Sequence, residues 1–231
     1  MTRSTLLVLA TTLTLLLPGG ASAQVKHYPL ESTDSLRLQN VAAEPAVLLG
    51  KKGLRITMMS GETPQLAPIV GLEFDNGVIE AEIAGAPAPG VGEGARGFVG
   101  IAFRLQSDMR TYDAFYLRAT NGRADDQERR NHAAQYISQP DWPWSRLRKE
   151  SPGKYESYVD LLPGVWTKVK IEVRGERARF YVHGQDQPTL IVNDLKTGAQ
   201  GKGAVALWLD QGTVAHFRKL TIASSPKDGI K

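Results

Sequence analysis

Two carboxylates two residues apart on a strand are the most direct route from this sequence to chemistry. Glu80 and Glu82 fall in the alternating run from Val78 to Ile83, and side chains at i and i+2 of a strand leave the same face of its sheet. Glycoside hydrolysis uses such a pair, one carboxyl as acid and the other as nucleophile or base. The same spacing arises wherever a strand keeps one wet face, here opposite Ile79, Ala81 and Ile83. Both readings stand on the residues alone. Acyl transfer has no support, because the chain contains no cysteine and no Gly-x-Ser-x-Gly elbow. His27, His183 and His216 are scattered without zinc spacing, so no metal site is expected. Gly92-x-Gly94-x-x-Gly97 imitates a dinucleotide fingerprint. No strand leads into it and no helix follows, so no helix N-terminus meets a pyrophosphate, and no cofactor is expected.

The residues suited to binding are richer. Arg104, Tyr116 and Arg118, with either Gln135 or Tyr136, line one polar surface if their strands are neighbours. Planar donors and acceptors beside an aromatic platform are what a sugar ring needs. The ordinary alternative is a hydrogen-bonded outer face. The segment from Asn121 to His132 carries Arg123, Asp125, Asp126, Glu128, Arg129 and Arg130. Its oxygens suit calcium, but the spacing is not that of an EF-hand and the arginines oppose a cation. An internally salt-bridged loop fits better, with Arg123, Asp126 and Arg130 also able to meet ligand hydroxyls. Pro140-Asp-Trp142-Pro-Trp144 sets two indoles on either side of a stiffening proline. Trp144 is the better ligand candidate, with at least one of the two tryptophans structural.

Period-two alternation must position these groups, since it dominates from about residue 77 and no helical period is sustained. Lys168 to Arg174 alternates charged with Val169, Ile171 and Val173. Gly175-Glu176 turns the chain, and Arg177 to His183 alternates again with Ala178, Phe180 and Val182 inward, so the two runs make a hairpin. Further strands are predicted at residues 54–58, 78–83, 98–105, 112–119, 132–137, 190–192, 204–209 and 214–222. Residues 84–97, 120–131 and 138–165 are predicted as connections. Val169, Ile171, Val173, Phe180, Val182, Leu207 and Phe217 are the predicted core. Many short strands with turns between them describe an all-β sandwich or barrel.

Several segments, in order, resemble the concanavalin A-like lectin/glucanase superfamily, and within it exported bacterial laminin-G-like and 3-keto-disaccharide hydrolase-like domains. They are Phe74-Asp-Asn-Gly-Val-Ile-Glu-Ala-Glu-Ile83, Phe98-Val-Gly-Ile-Ala-Phe-Arg104, Trp166 to Val173 with Ala178 to Val182, and Gly203 to Trp208 followed by Phe217 and Leu220. The likeness spans residues 37–223. It implies a jelly-roll β-sandwich of two curved antiparallel sheets, with ligand on the concave face and rim loops. Glucanases of this superfamily carry Glu-x-Asp-x-Glu on a strand. Here Val78 stands two before Glu80 and no Asp lies between, so that pattern is incomplete. Three functions follow from the likeness: carbohydrate or glycoconjugate binding, glycoside or keto-glycoside hydrolysis, and protein interaction of the laminin-G kind. Carbohydrate binding fits the Trp, Tyr and Arg segments best.

The ends bound the compartment. Arg3, an apolar run from Leu6 to Leu17, Pro18-Gly-Gly and then Ala21-Ser-Ala23 have the order of a secretory signal peptide over residues 1–23. The apolar run is too short to span a bilayer, which takes about 20 residues, so no membrane anchor is expected after cleavage. A single domain over residues 24–223 and a polar tail over 224–231 follow, in a periplasmic or secreted protein. Without disulfides the fold must rest on its apolar core. The net charge of +4 is mild and its basic knots are flanked by acids; a nucleic-acid binder shows a basic stripe with interleaved aromatics, so nucleic acid is not an expected partner. Exported protein should begin at Gln24 on N-terminal sequencing. An intact Met1 in a membrane fraction would contradict this.

Overall fold

Alternation is realised almost strand for strand. The computed structural model describes residues 24–59 and 64–225. The predicted signal segment and residues 226–231 of the predicted tail lie outside the described residues. The chain runs β1 (Gln24–Tyr28), β2 (Val41–Leu48), β3 (Lys51–Met58), β4 (Gln65–Pro68), β5 (Gly77–Pro87), β6 (Phe98–Leu105), β7 (Tyr112–Arg118), α1 (Gln127–Asn131), β8 (Ala134–Gln139), α2 (Trp144–Glu150), β9 (Glu156–Ser157), β10 (Thr167–Arg174), β11 (Arg177–Val182), β12 (Leu190–Val192), β13 (Ala204–Leu209) and β14 (Thr213–Ser224). One sheet has the order β12-β11-β10-β5-β14-β3-β2, with β1 also on β14; the other has the order β4-β13-β6-β7-β8-β9. Adjacent strands are antiparallel throughout. β14 is long enough for β3 to pair with Val214–Phe217 and β1 with Leu220–Ser224.

The seven predicted core residues are all buried. Ile79, Ala81 and Ile83 meet Ile171, Val169 and Thr167 in register, which leaves Glu80 and Glu82 on the outer side beside Lys170 and Lys168. Across the gap, Phe115 of β7 stacks on Phe180 of β11 with ring centroids 5.1 Å apart, and within its own sheet on Phe103 of β6 at 6.0 Å. Offset aromatic stacking of this kind adds roughly 0.5–1.5 kcal/mol to the burial itself.

Several elements escaped the periodicity. β1, β2, β4 and β9 were not predicted. β2 carries Pro45 and lies on a sheet edge, where a missing N–H is tolerated. The two segments read as plain connections contain α1 and α2, each two turns or less and too short to establish a period. Asp126 caps α1, its side chain accepting from the Arg129 N–H at 2.7 Å, and α2 is tied by the Arg146–Glu150 pair one turn apart. The connection expected from residue 84 starts later, because β5 runs on to Pro87.

Phe180→Ala removes the ring that holds Phe115 from the opposite sheet. Equilibrium unfolding should show a loss of about 3–5 kcal/mol. A loss below about 1 kcal/mol would mean that the site collapses or that the ring carries little.

Candidate functional site

The two sheets differ in what their outer faces offer. On the six-stranded sheet, register aligns Trp208, Gly100, Tyr116, Gln135 and Glu156 in one row across β13, β6, β7, β8 and β9. Gly100 is required there. A Cβ on it would come within 2.3 Å of the Phe115 carbonyl oxygen and 2.5 Å of Tyr116 Cβ. Without that side chain the rings of Tyr116 and Trp208 stack over the gap, centroids 4.6 Å apart. Tyr112 lies on the same face of β7 two positions from Ala114, and its hydroxyl accepts from Trp208 Nε1–H at 3.1 Å. Burial pushes the Tyr112 phenol up to about 12 and the Tyr116 phenol up as well. Both rings stay neutral and act as hydrogen-bonding, flat apolar surface.

Arg118 organises the rest of the row. Its guanidinium donates to the Tyr116 hydroxyl at 2.8 Å, to Gln135 Oε1 at 3.1 Å and to the His132 carbonyl at 2.8 Å. Gln135 passes its amide protons on to the carbonyls of Tyr136 and Tyr155. The Glu156 carboxylate, itself buried, closes the row, 3.6 Å from Arg118 and accepting from Arg148 Nε–H at 3.0 Å. His132 Nδ1 stands 2.9 Å from its other side. A buried carboxylate set between two guanidiniums is a supporting element, because removing one charge would strand the others in a dry site.

Trp144 rises beside this floor from the first position of α2, 44 % exposed. The Arg148 guanidinium lies 4.7 Å from its ring and that of Arg118 5.8 Å, so cation–π contacts hold the indole from the protein side. An open cleft of about 460 Å³ lies here, lined by Trp144, Trp208, Tyr112, Arg110, Asp210 and Gln139, among others. A volume of that order suits a small ligand, and the mixture of rings with a few polar groups suits one that is itself amphipathic.

Trp144, Tyr116, Arg118 and Gln135 therefore come together as the sequence suggests, with Trp144 on the cleft wall and the other three buried next to its floor. Arg104 and Tyr136 do not join them. Alternation places Arg104 outward, but β6 carries one extra residue against β13 between Ala102 and Leu105, and Arg104 has a left-handed φ of 55°. That bulge turns the side chain inward. There it donates to the carbonyls of Asp75, Gly175 and Gly198 and to Thr197 Oγ1. Tyr136 shares the inner face with its register partner Phe115 and donates to Asp113 Oδ1 at 2.6 Å. Burial raises the Asp113 carboxyl, while hydrogen bonds from Thr197 and Tyr136 and the Arg104 charge act the other way.

Glu80 and Glu82 stand on the other sheet. Lys168 lies 3.6 Å from Glu80, and Arg218, Lys219 and Lys51 surround Glu82. The pair is a charged solvent face, away from the cleft. Arg123 grips Asp160 through two hydrogen bonds at 2.7 and 2.8 Å, Asp126 is the α1 cap, and Arg130 donates to Tyr158. None of the three lines the cleft. Arg110, Tyr112, Gln139, Trp208 and Asp210 went unnoticed as site residues. Alternation sets Tyr112 on the face of Tyr116 and Arg118, and sets Trp208 opposite the core residue Leu207, but alternation alone does not show that these outer rings border a cleft.

No family model matches the chain, and no curated protein matches it. Its likenesses are to solved structures. A carbohydrate-binding module of family 66 from Bacillus subtilis superposes with a TM-score of 0.52 at 12 % identity, over 81 % of this chain and 98 % of that one. The Crh5 transglycosylase in complex with NAG gives 0.54 at 12 %, over 90 % and 86 %. Domain 4 of the arabinanase AbnA from Geobacillus stearothermophilus, in complex with arabinotriose, gives 0.50 at 14 %, over 88 % and 94 %. At such identities what is shared is architecture. Two antiparallel sheets, the aromatic seam between them and these superpositions together make this chain an all-β jelly-roll sandwich.

Proposed function

We propose that the protein is an exported carbohydrate-binding domain whose ligand occupies the cleft between Trp144 and the Tyr112–Trp208 floor. The exposed Trp144 indole, braced by Arg118 and Arg148 at the side of that cleft, carries the reading. A sugar ring presents apolar C–H faces and a rim of hydroxyls. The indole supplies flat apolar area; Arg110, Gln139 and Asp210 supply donors and acceptors around it. Tyr116, Arg118, Gln135 and Glu156 set the height and rigidity of the floor without touching the ligand. The carbohydrate-binding module and the arabinotriose complex among the similar structures agree with a sugar as ligand. The leader-like N-terminus agrees with a place of action outside the cytoplasm.

Binding is favoured over hydrolysis by the carboxylates. Glycosidases flank the scissile bond with two, about 5 to 9.5 Å apart. Among the described residues lining the cleft, Asp210 is the one carboxylate, and Glu156 is committed to Arg118 and Arg148. A laminin-G-like protein contact has no comparable observation behind it.

The test is a neutral-oligosaccharide array, followed by calorimetry and product analysis on the hits. Trp144→Ala should weaken binding by about 1–3 kcal/mol, the cost of losing a largely buried apolar contact, while the melting temperature holds. Lost stability with unchanged affinity would overturn the assignment of the cleft. Cleaved products would move the protein to the hydrolases.

A further inference from the structure

The outer face of the eight-stranded sheet gathers arginines on the hairpin near one edge. Its strands β10, β11 and β12 turn Glu172, Arg174, Arg177, Arg179 and Ile191 outward, since their inward neighbours Val173, Ala178, Phe180 and Val192 are in the core. Arg174 and Arg177 are direct cross-strand partners, as are Glu172 and Arg179. Like charges set opposite each other in a ladder oppose pairing, so the hairpin carries an unfavourable contact at its tip. Its one strand carboxylate offsets that contact only in part, since the Glu172 carboxyl is held low first by its hydrogen bond from Lys170 and to a smaller degree by the Arg174 charge. Glu172 accepts from Lys170 Nζ at 2.7 Å and from the Tyr181 hydroxyl at 2.9 Å, and Lys170 also lies over the Tyr181 ring at 3.9 Å. Glu176 in the turn is exposed and has no ion pair among the described residues.

The guanidiniums of Arg174, Arg177 and Arg179 are exposed and make no side-chain hydrogen bond or ion pair with any described residue. They surround a groove of about 460 Å³ with Glu172, Ala178 and Asn193, the same volume as the cleft on the other sheet. The support is rigid. Arg104 holds the Gly175 carbonyl from inside, and the Gly175 N–H donates to Asn76 Oδ1 at 2.6 Å. The forks therefore stand on a fixed hairpin, with Arg177 and Arg179 roughly 7 Å apart along β11.

We infer that this groove binds an acidic polysaccharide through its carboxylate or sulfate groups. A planar fork of N–H donors matches such oxyanions bidentately, and an anion placed between Arg174 and Arg177 relieves the like-charge contact. An extended polyanion lying along the strand serves successive arginines. A membrane surface fits less well. Ile191 is the only large exposed apolar side chain on these three strands, and interfacial binding needs a buried apolar face besides its cations. The site is independent of the Trp144 cleft.

Calorimetry with a galacturonic acid hexamer, a heparin-derived hexasaccharide and a neutral xylose hexamer separates the possibilities, with inorganic sulfate and phosphatidylglycerol vesicles as further probes. At low salt either or both acidic hexamers should bind, and binding should weaken as salt screens the exposed charges. The double variant Arg177→Gln/Arg179→Gln should lose about tenfold or more in affinity with its melting temperature unchanged. Trp144→Ala should leave acidic-hexamer binding intact whether or not the cleft binds neutral sugars. Undiminished binding by the double variant, or loss in Trp144→Ala instead, would overturn the inference. So would equal binding of the xylose hexamer, binding of inorganic sulfate alone, or capture by vesicles without hexamer binding.

Discussion

Phe115 touching Phe180 across the gap between the sheets is the contact on which the remaining architecture depends. With no disulfide to hold them, two sheets stay together only through the apolar surface they remove from water. The seam runs from Phe74 through Phe103 and Phe115 to Phe180 and Tyr136. It sets which face of every strand is inner, and thus which is left for function. Alternation then distributes the chemistry: the same β7 that sends Phe115 inward sends Tyr112, Tyr116 and Arg118 outward.

Polar groups enter this seam only where they are fully engaged. Asp113, Tyr136, Thr197 and Arg104 form one chain of hydrogen bonds, and the Lys196 N–H donates into it through the Tyr136 hydroxyl. Arg104 fixes three backbone carbonyls at once. Loops that contribute few apolar contacts are thereby anchored by charge-assisted bonds, which are stronger than neutral ones. The loops at that end gain order from a single side chain.

The strands were legible because period two is a long, redundant signal: Lys168 to Arg174 repeats it over seven residues, and the core residues it implied are buried. Binding candidates were less legible, because facing depends on details below that signal. One extra residue in β6 reverses Arg104, and nothing near Arg104 in sequence announces it. Whether Gln135 or Tyr136 faces outward was open until register with β7 was known, since both are uncharged and polar at one end. Trp208 illustrates the opposite difficulty. It lies in an unbroken apolar run from Ala204 to Leu209, so alternation turns it outward from Leu207 without a polar neighbour to mark that face, and the space above Gly100 lets its ring reach Tyr116. Short helices such as α2 depend on a few ion pairs, Arg146 with Glu150 and Arg148 with Glu156, and on docking Leu147, none of which leaves a period.

Floor and wall of the cleft belong to different parts of the molecule. Tyr112, Tyr116 and Trp208 are bound into the register of the sheet, and any change there is also a change in folding. Trp144 sits on a two-turn helix inserted between β8 and β9, whose one buried residue is Leu147. Selection can therefore reshape the wall, by exchanging or extending that insert, at little expense to the scaffold so long as an arginine still meets Glu156. The shape of the cleft can change in this way while the sandwich beneath stays the same, so its opening and its fold are free to vary separately.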